Sequence, residues 1–142
     1  MQLWLVLRRT DEAARMISLE TGKPIAQAGR EWALSIDQFR WYAEEARRIY
    51  GRIVPTDPPI QQYVIREPVG PVAAFTPWNV PMSAPSRKIS ASLATGCSII
   101  LKAAEETPAA ACLFAQCFLD AGLPNGVLNI VFGDPREVSE TL

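Results

Sequence analysis

Two spacings of apolar residues divide the chain. In the first third they recur every three or four positions. Leu3, Leu7, Ala14 and Ile17 mark one helix, stopped by Thr21-Gly22-Lys23-Pro24. Trp32, Ile36, Phe39, Ala43, Ala46 and Tyr50 predict a second helix, from about Ile25 to Tyr50, with Gly51 as its terminator. Its aromatic stripe reads as a face packed on a core rather than a ligand box. Glu44 and Arg48 read as an i,i+4 pair on the exposed side. Residues 52–66 break the helical pattern. Ile53-Val54 and Gln61-Gln62-Tyr63-Val64-Ile65 flank the proline-rich Pro55-Thr56-Asp57-Pro58-Pro59, which predicts a two-stranded β arm. So small a hairpin needs other structure to hold it.

From Gly70 onward short apolar runs alternate with helical stretches. Strands are expected at Val72 to Phe75, Ser98 to Leu101 and Val127 to Phe132. Helices are expected at Ser83 to Thr95, closed by Gly96, and at Thr107 to Ala121, with Thr107 as cap and Pro108 in the first turn. Another helix starts at Pro135. Repeated strand-helix units imply a doubly wound parallel sheet with right-handed crossovers. The fold class is therefore α/β: amino-terminal helices (1–51), a short β arm (52–66), then the first half of a parallel sheet (67–142).

Composition narrows the chemistry. The 142 residues carry a net charge of −1 with the two signs interspersed, which gives no footprint for nucleic acid. No run approaches the ~20 apolar residues of a membrane span. The short apolar start is followed by Arg8 and Arg9, unlike a secretory leader, and Cys97, Cys112 and Cys117 lack CxxC spacing. Reduced thiols in the cytoplasm are expected. The chain has no histidine, so it lacks the commonest general base and zinc ligand, and no metal is expected. Cys97 has no base to activate it and is read, with Cys112 and Cys117, as structural. Arg87-Lys88 is read as a solvated helix face.

Ligands of parallel sheets collect at the carboxyl ends of the strands. Three loops end strands here: Thr76-Asn79, Lys102-Glu106 and Gly133-Pro135. No G-x-G-x-x-G or Walker loop marks a phosphate site among them. From position alone, Asn79 reads as a turn asparagine; Lys102 and Glu105 have a surface ion pair as their plain alternative, although Lys102 ends a buried strand, and Trp78 as a packing residue and Gly133 as a turn glycine stand even with a binding role.

The ordered series Phe75-Thr76-Pro77-Trp78-Asn79, Arg87-Lys88, Gly96-Cys97, Leu101-Lys102-Ala103-Ala104-Glu105-Glu106-Thr107-Pro108 and Gly122-Leu123-Pro124 resembles the aldehyde dehydrogenase superfamily. Glu20-Thr21-Gly22-Lys23-Pro24 and Tyr42-Ala43-Glu44-Glu45-Ala46 resemble its amino-terminal region. The likeness is nearest to the NAD-linked semialdehyde and related aliphatic enzymes. It implies a Rossmann-like sheet and oxidation of an aldehyde to an acid through a cysteine thiohemiacetal, with hydride passing to NAD. Asn79 matches the family's oxyanion donor. Lys102 and Glu105 match contacts to the adenosine ribose, and a carboxylate at Glu105 favours NAD over NADP by repelling a 2′-phosphate. Phe75, Thr76, Pro77 and Trp78 match the nicotinamide-side wall, and Gly133 a close backbone approach on the adenine side. Ala103 departs from the family, which has proline there; its loss should loosen the loop.

In the family the nucleophilic cysteine and the glutamate base lie beyond the position of Leu142. The chain is accordingly expected to be an amino-terminal fragment, inactive alone, of an enzyme that forms homo-oligomers. The alternatives are a non-catalytic binding module that pairs with full-length subunits through its open sheet edge, and a gene remnant.

Overall fold

The computed structural model describes residues 8–142. Leu3 and Leu7 of the first apolar series lie outside them. Helix α1 runs Thr10–Thr21 and ends on Gly22 in the left-handed conformation, with the Gly22 N–H bonded to the Ser18 carbonyl. Ala14 and Ile17 are buried, as their spacing predicts.

Helix α2 spans Ile25–Glu45 and tightens into a 3-10 turn over Ala46–Arg48. It therefore ends short of Tyr50. Only the first half of its apolar stripe is core. Trp32, Ile36 and Phe39 are buried, whereas Ala43, Ala46 and Tyr50 are exposed. Trp32 and Phe39 pack their rings against Phe114 of the helix that crosses them, with centroids 6.2 and 5.2 Å apart. Beyond Phe39 the stripe runs off that helix and lines an open cleft with Leu93 and Phe118. Arg48 bonds Glu45 at 2.7 Å, an i,i+3 pair, and not Glu44. Gly51 does not terminate the helix either. A Cβ there would sit 2.3 Å from the Val64 carbonyl oxygen, so it is the close approach of the β arm that requires glycine.

That arm pairs β1 (Arg52–Val54) antiparallel with β2 (Gln62–Val64), Ile53 opposite Tyr63. Both of those side chains are exposed.

The sheet follows. Strands β3 (Val72–Phe75), β4 (Ile99–Lys102) and β5 (Leu128–Val131) are parallel in the order β3-β4-β5. Helix α3 (Ser83–Ala94) joins the first pair and α4 (Pro108–Asp120) the second; α5 (Pro135–Thr141) follows β5. Ala74, Ile99 and Leu101 share one buried cluster with side chains of α1, α2, α3 and α4. The two amino-terminal helices thus form a layer over the helices of the sheet. On the sheet's other face Ala73 and Asn129 stand in register with Ile100, and both are exposed.

Thr107 does not cap α4 with its side chain. The carboxylate of Glu20, at the end of α1, takes that place. It accepts from the Ala109 and Ala110 N–H groups at 2.7 and 2.9 Å. Glu31 of α2 does the same for α3, accepting from the Met82 and Ser83 N–H groups at 2.9 and 3.2 Å. Spacing within a segment cannot reveal a cap supplied from another helix. Among the described residues no helix is long and apolar enough to cross a membrane.

Candidate functional site

The register of the sheet sets the site. Phe75, Lys102 and Val131 lie side by side at the carboxyl ends of the three strands. The Thr76 N–H donates to the Lys102 carbonyl at 3.1 Å, and the Ala103 N–H to that of Val131 at 3.2 Å. The three strand-end loops therefore leave the sheet together.

Lys102, Glu105 and Gly133 form one hydrogen-bonded group. Lys102 is 4% exposed, and its ammonium donates to both carboxylate oxygens of Glu105, at 2.6 Å to Oε2. Glu105 Oε1 also accepts from the Gly133 N–H at 2.9 Å. The Lys102 hydrogen bond, then that of Gly133, holds the Glu105 carboxyl down at about 2. Glu105 is open to solvent on its other side, at 41% for the side chain. An ammonium has three protons and a carboxylate about four acceptor positions, so each keeps capacity for an outside hydroxyl. Gly133 holds φ at +144°, where a side chain would be strained, and a Cβ there would crowd Val138 at 3.3 Å.

Pro77, Trp78 and Asn79 occupy the neighbouring loop, between β3 and α3, and are exposed. Trp78 is 52% exposed, so it does not pack as a core residue. Asn79 is held through its main chain: its carbonyl accepts from the Lys23 ammonium. Its side-chain amide bonds to none of the described residues and is available to a ligand. Lys23 also pairs with Glu31, the residue that caps α3. The sequence marked Lys23 as part of a helix stop and, with Glu20, of the run that resembles the family's amino-terminal region, but gave neither of them, nor Glu31, as a support of the site. Their signal was a charged residue at a helix end or on an otherwise buried helix face.

The cysteines are separate from this group. Cys97 is 3% exposed and its thiol is lowered by the Thr95 hydroxyl at 3.5 Å. Burial pushes the Cys117 thiol up to about 11. Cys112 is exposed on α4. Arg87 and Lys88 are exposed on α3.

Known proteins resemble this chain in sequence and fold. Residues 4–142 match the model of the aldehyde dehydrogenase family. The chain is 48% identical over 134 residues to the 4-(hydroxymethyl)benzenesulfonate dehydrogenase TsaD1 of Comamonas testosteroni, covering 94% of this chain and 28% of the relative. It is 40% identical over 139 residues to the NADP(+) succinate-semialdehyde dehydrogenase GabD of Escherichia coli K12, covering 97% and 29%. The solved NAD+ complex of an aldehyde dehydrogenase from Bacillus cereus superposes with a TM-score of 0.93 at 37% identity, over 97% of this chain and 28% of that one. The chain thus spans under a third of the length of these relatives. Near-complete coverage by the family model, and a parallel sheet that follows a solved member, lead to one conclusion: the chain belongs to the aldehyde dehydrogenase family.

Proposed function

We propose that these residues supply the adenosine side of an NAD site and the oxyanion donor of an enzyme that oxidises an aldehyde to a carboxylic acid. The observation that carries this is the group Lys102–Glu105–Gly133 at the ends of adjacent strands. Lys102 offers one spare proton and Glu105 free lone pairs on its exposed side, which suits two neighbouring ribose hydroxyls. The cofactor, when bound, accepts the hydride. A carboxylate charged at any pH above about 2 opposes a 2′-phosphate at that position, which favours NAD over NADP.

Phe75, Thr76, Pro77 and Trp78 would line the nicotinamide side. The free amide of Asn79 would donate to the oxygen that turns negative when a thiolate attacks the aldehyde, a contribution of about 3 kcal/mol for a preorganised donor. Semialdehydes are the substrate class favoured by the likeness to GabD. The nucleophile and base come from residues outside these 142. No histidine is present, and Cys97 and Cys117 are buried. The isolated chain is accordingly expected to be inactive. The exposed sheet face at Ala73 and Asn129 and the exposed β arm favour further chain or neighbouring subunits packing there, as in a cytoplasmic homo-oligomer.

The test is kinetic. The complete polypeptide and residues 1–142 alone are each given succinate semialdehyde with NAD or NADP, and cofactor reduction is followed by absorbance. NAD reduction by the complete polypeptide alone is expected, with a higher kcat/KM for NAD than for NADP. Glu105→Ala should raise KM for NAD about tenfold, the loss of one charge-assisted contact. Turnover by residues 1–142, or an unchanged NAD KM in the variant, would sink the assignment.

A further inference from the structure

Two loops carry the proposed site, and both are tied to the same stretch of the amino-terminal helices. Glu20 holds the start of α4, at the end of the Lys102–Glu106 loop. Lys23 and Glu31 hold the Asn79 loop at its middle and at its far end: Lys23 bonds the Asn79 carbonyl, Glu31 bonds the Met82 and Ser83 N–H groups, and the two side chains pair with each other. We propose that Lys23 is the positioning residue for Asn79, acting with Glu31 to fix the direction in which the Asn79 amide points.

The geometry is specific. Asn79 lies beyond the end of β3, in a turn with no strand beside it. Among the described residues its main chain has no hydrogen bond besides that from Lys23, and a donor that swings loses its advantage over water. Lys23 removes that freedom at the residue itself rather than at its neighbours. Lys23 is in turn fixed by its own main chain. Its carbonyl accepts from the Ser18 hydroxyl at 2.7 Å, and its N–H donates to the Thr21 hydroxyl at 3.3 Å. Glu31 is 7% exposed at the side chain and has three partners, so it is a rigid counter-charge. A surface lysine pairing at random would show none of this closure.

The inference rests on the assignment of Asn79 as the oxyanion donor, and the experiment separates the two. In the complete polypeptide, Lys23→Met, Lys23→Arg, Asn79→Ala and the Lys23→Met/Asn79→Ala double variant are compared. Lys23→Met/Glu31→Gln is included because an unpaired Glu31 charge could prevent folding. Lys23→Met is expected to lower kcat about tenfold, less than the 10²–10³ of losing a donor outright, with KM for NAD unchanged. Lys23→Arg should restore most of it, and the Lys23 effect should vanish in the Asn79→Ala background. Amide hydrogen exchange over residues 76–83 should quicken in Lys23→Met and in Lys23→Met/Glu31→Gln, while that of residues 107–112 stays as it was. Glu20→Ala should do the reverse.

An unchanged kcat in Lys23→Met beside a large loss in Asn79→Ala would overturn the positioning role. So would additive effects in the double variant, a rise in NAD KM parallel to the fall in kcat, or unchanged exchange over residues 76–83. Asn79→Ala without effect on kcat would instead remove Asn79 as the donor, and the exchange result would then decide alone whether Lys23 fixes the loop.

Discussion

Replacing Glu20 by alanine should destabilise the protein although Glu20 lies 88 residues before the helix it serves. Helix α4 begins with Pro108, which has no N–H, so Ala109 and Ala110 are its first free donors. Both bond the Glu20 carboxylate, at 2.7 and 2.9 Å. Loss of a helix cap costs about 1 kcal/mol, and loss of a negative charge at a helix start adds about 0.5 kcal/mol. The Ala109 bond is exposed, so water replaces it in part. The expected cost is about 1.5 kcal/mol in all. For a unit of this size that lowers Tm by roughly 5 °C. Thr107→Val supplies the contrast. Thr107 precedes the helix and is 2% exposed, but it makes no side-chain cap. Swapping an unbonded hydroxyl for a methyl should cost less than about 0.5 kcal/mol. Calorimetry or thermal circular dichroism on both variants decides the matter. A Thr107→Val loss of about 1 kcal/mol with Glu20→Ala unchanged would refute the cap across helices.

Glu105 should titrate far below an ordinary carboxyl. Its folded pKa is depressed from 4.5 to about 2, so its contribution to stability is complete above the ordinary value, shrinks as pH falls between the two, and is gone below about 2. A carboxyl carbon NMR titration with a midpoint near 4.5 would show that the Lys102–Gly133 grip does not exist in solution. Thiol reactivity should be unequal under native conditions. Cys112 should react first with a disulfide reagent, and Cys97 and Cys117 only on unfolding, because they are 3% and 2% exposed. Three equal rates in native buffer would contradict the packing of α4.

The parallel strands were legible because each is a short apolar run bounded by turn residues. Val72–Phe75 matches residue for residue, and the ends of β4 and β5 shift by one residue. Long-range pairing was not legible. The stripe of α2 continues to Tyr50 in sequence, yet its burial stops at Phe39 because α4 offers aromatic partners only at Phe114 and Phe118. The choice of Glu45 over Glu44 as partner of Arg48 follows from the 3-10 turn, which rotates Arg48 away from the i,i+4 position. At the site, the strand pattern grouped the three loops, but single residues looked ordinary and only the family likeness gave them roles. The structure brings Lys102, Glu105 and Gly133 into contact, while Trp78 and Asn79 stay exposed on the adjacent loop.

The caps explain why the site sits on a shared core. Helix α5 is capped locally: Asp134 accepts from the Arg136 and Glu137 N–H groups at 2.9 and 3.3 Å. Helices α3 and α4 instead take carboxylates from α2 and α1. Each borrowed cap fixes a helix start, and each helix start is the far end of a loop that leaves the sheet at the site. A local cap would stabilise the helix equally well but would leave its loop free to move with it. Drawn from another layer, the cap ties the loop to the buried cluster that holds Trp32 and Phe114. The core and both borrowed caps thus cross from the amino-terminal helices to the helices of the sheet. Stability of the amino-terminal helices and geometry of the strand-end loops are therefore coupled: a change at Glu20 or Lys23 is expected to shift the loop that carries Glu105 or Asn79.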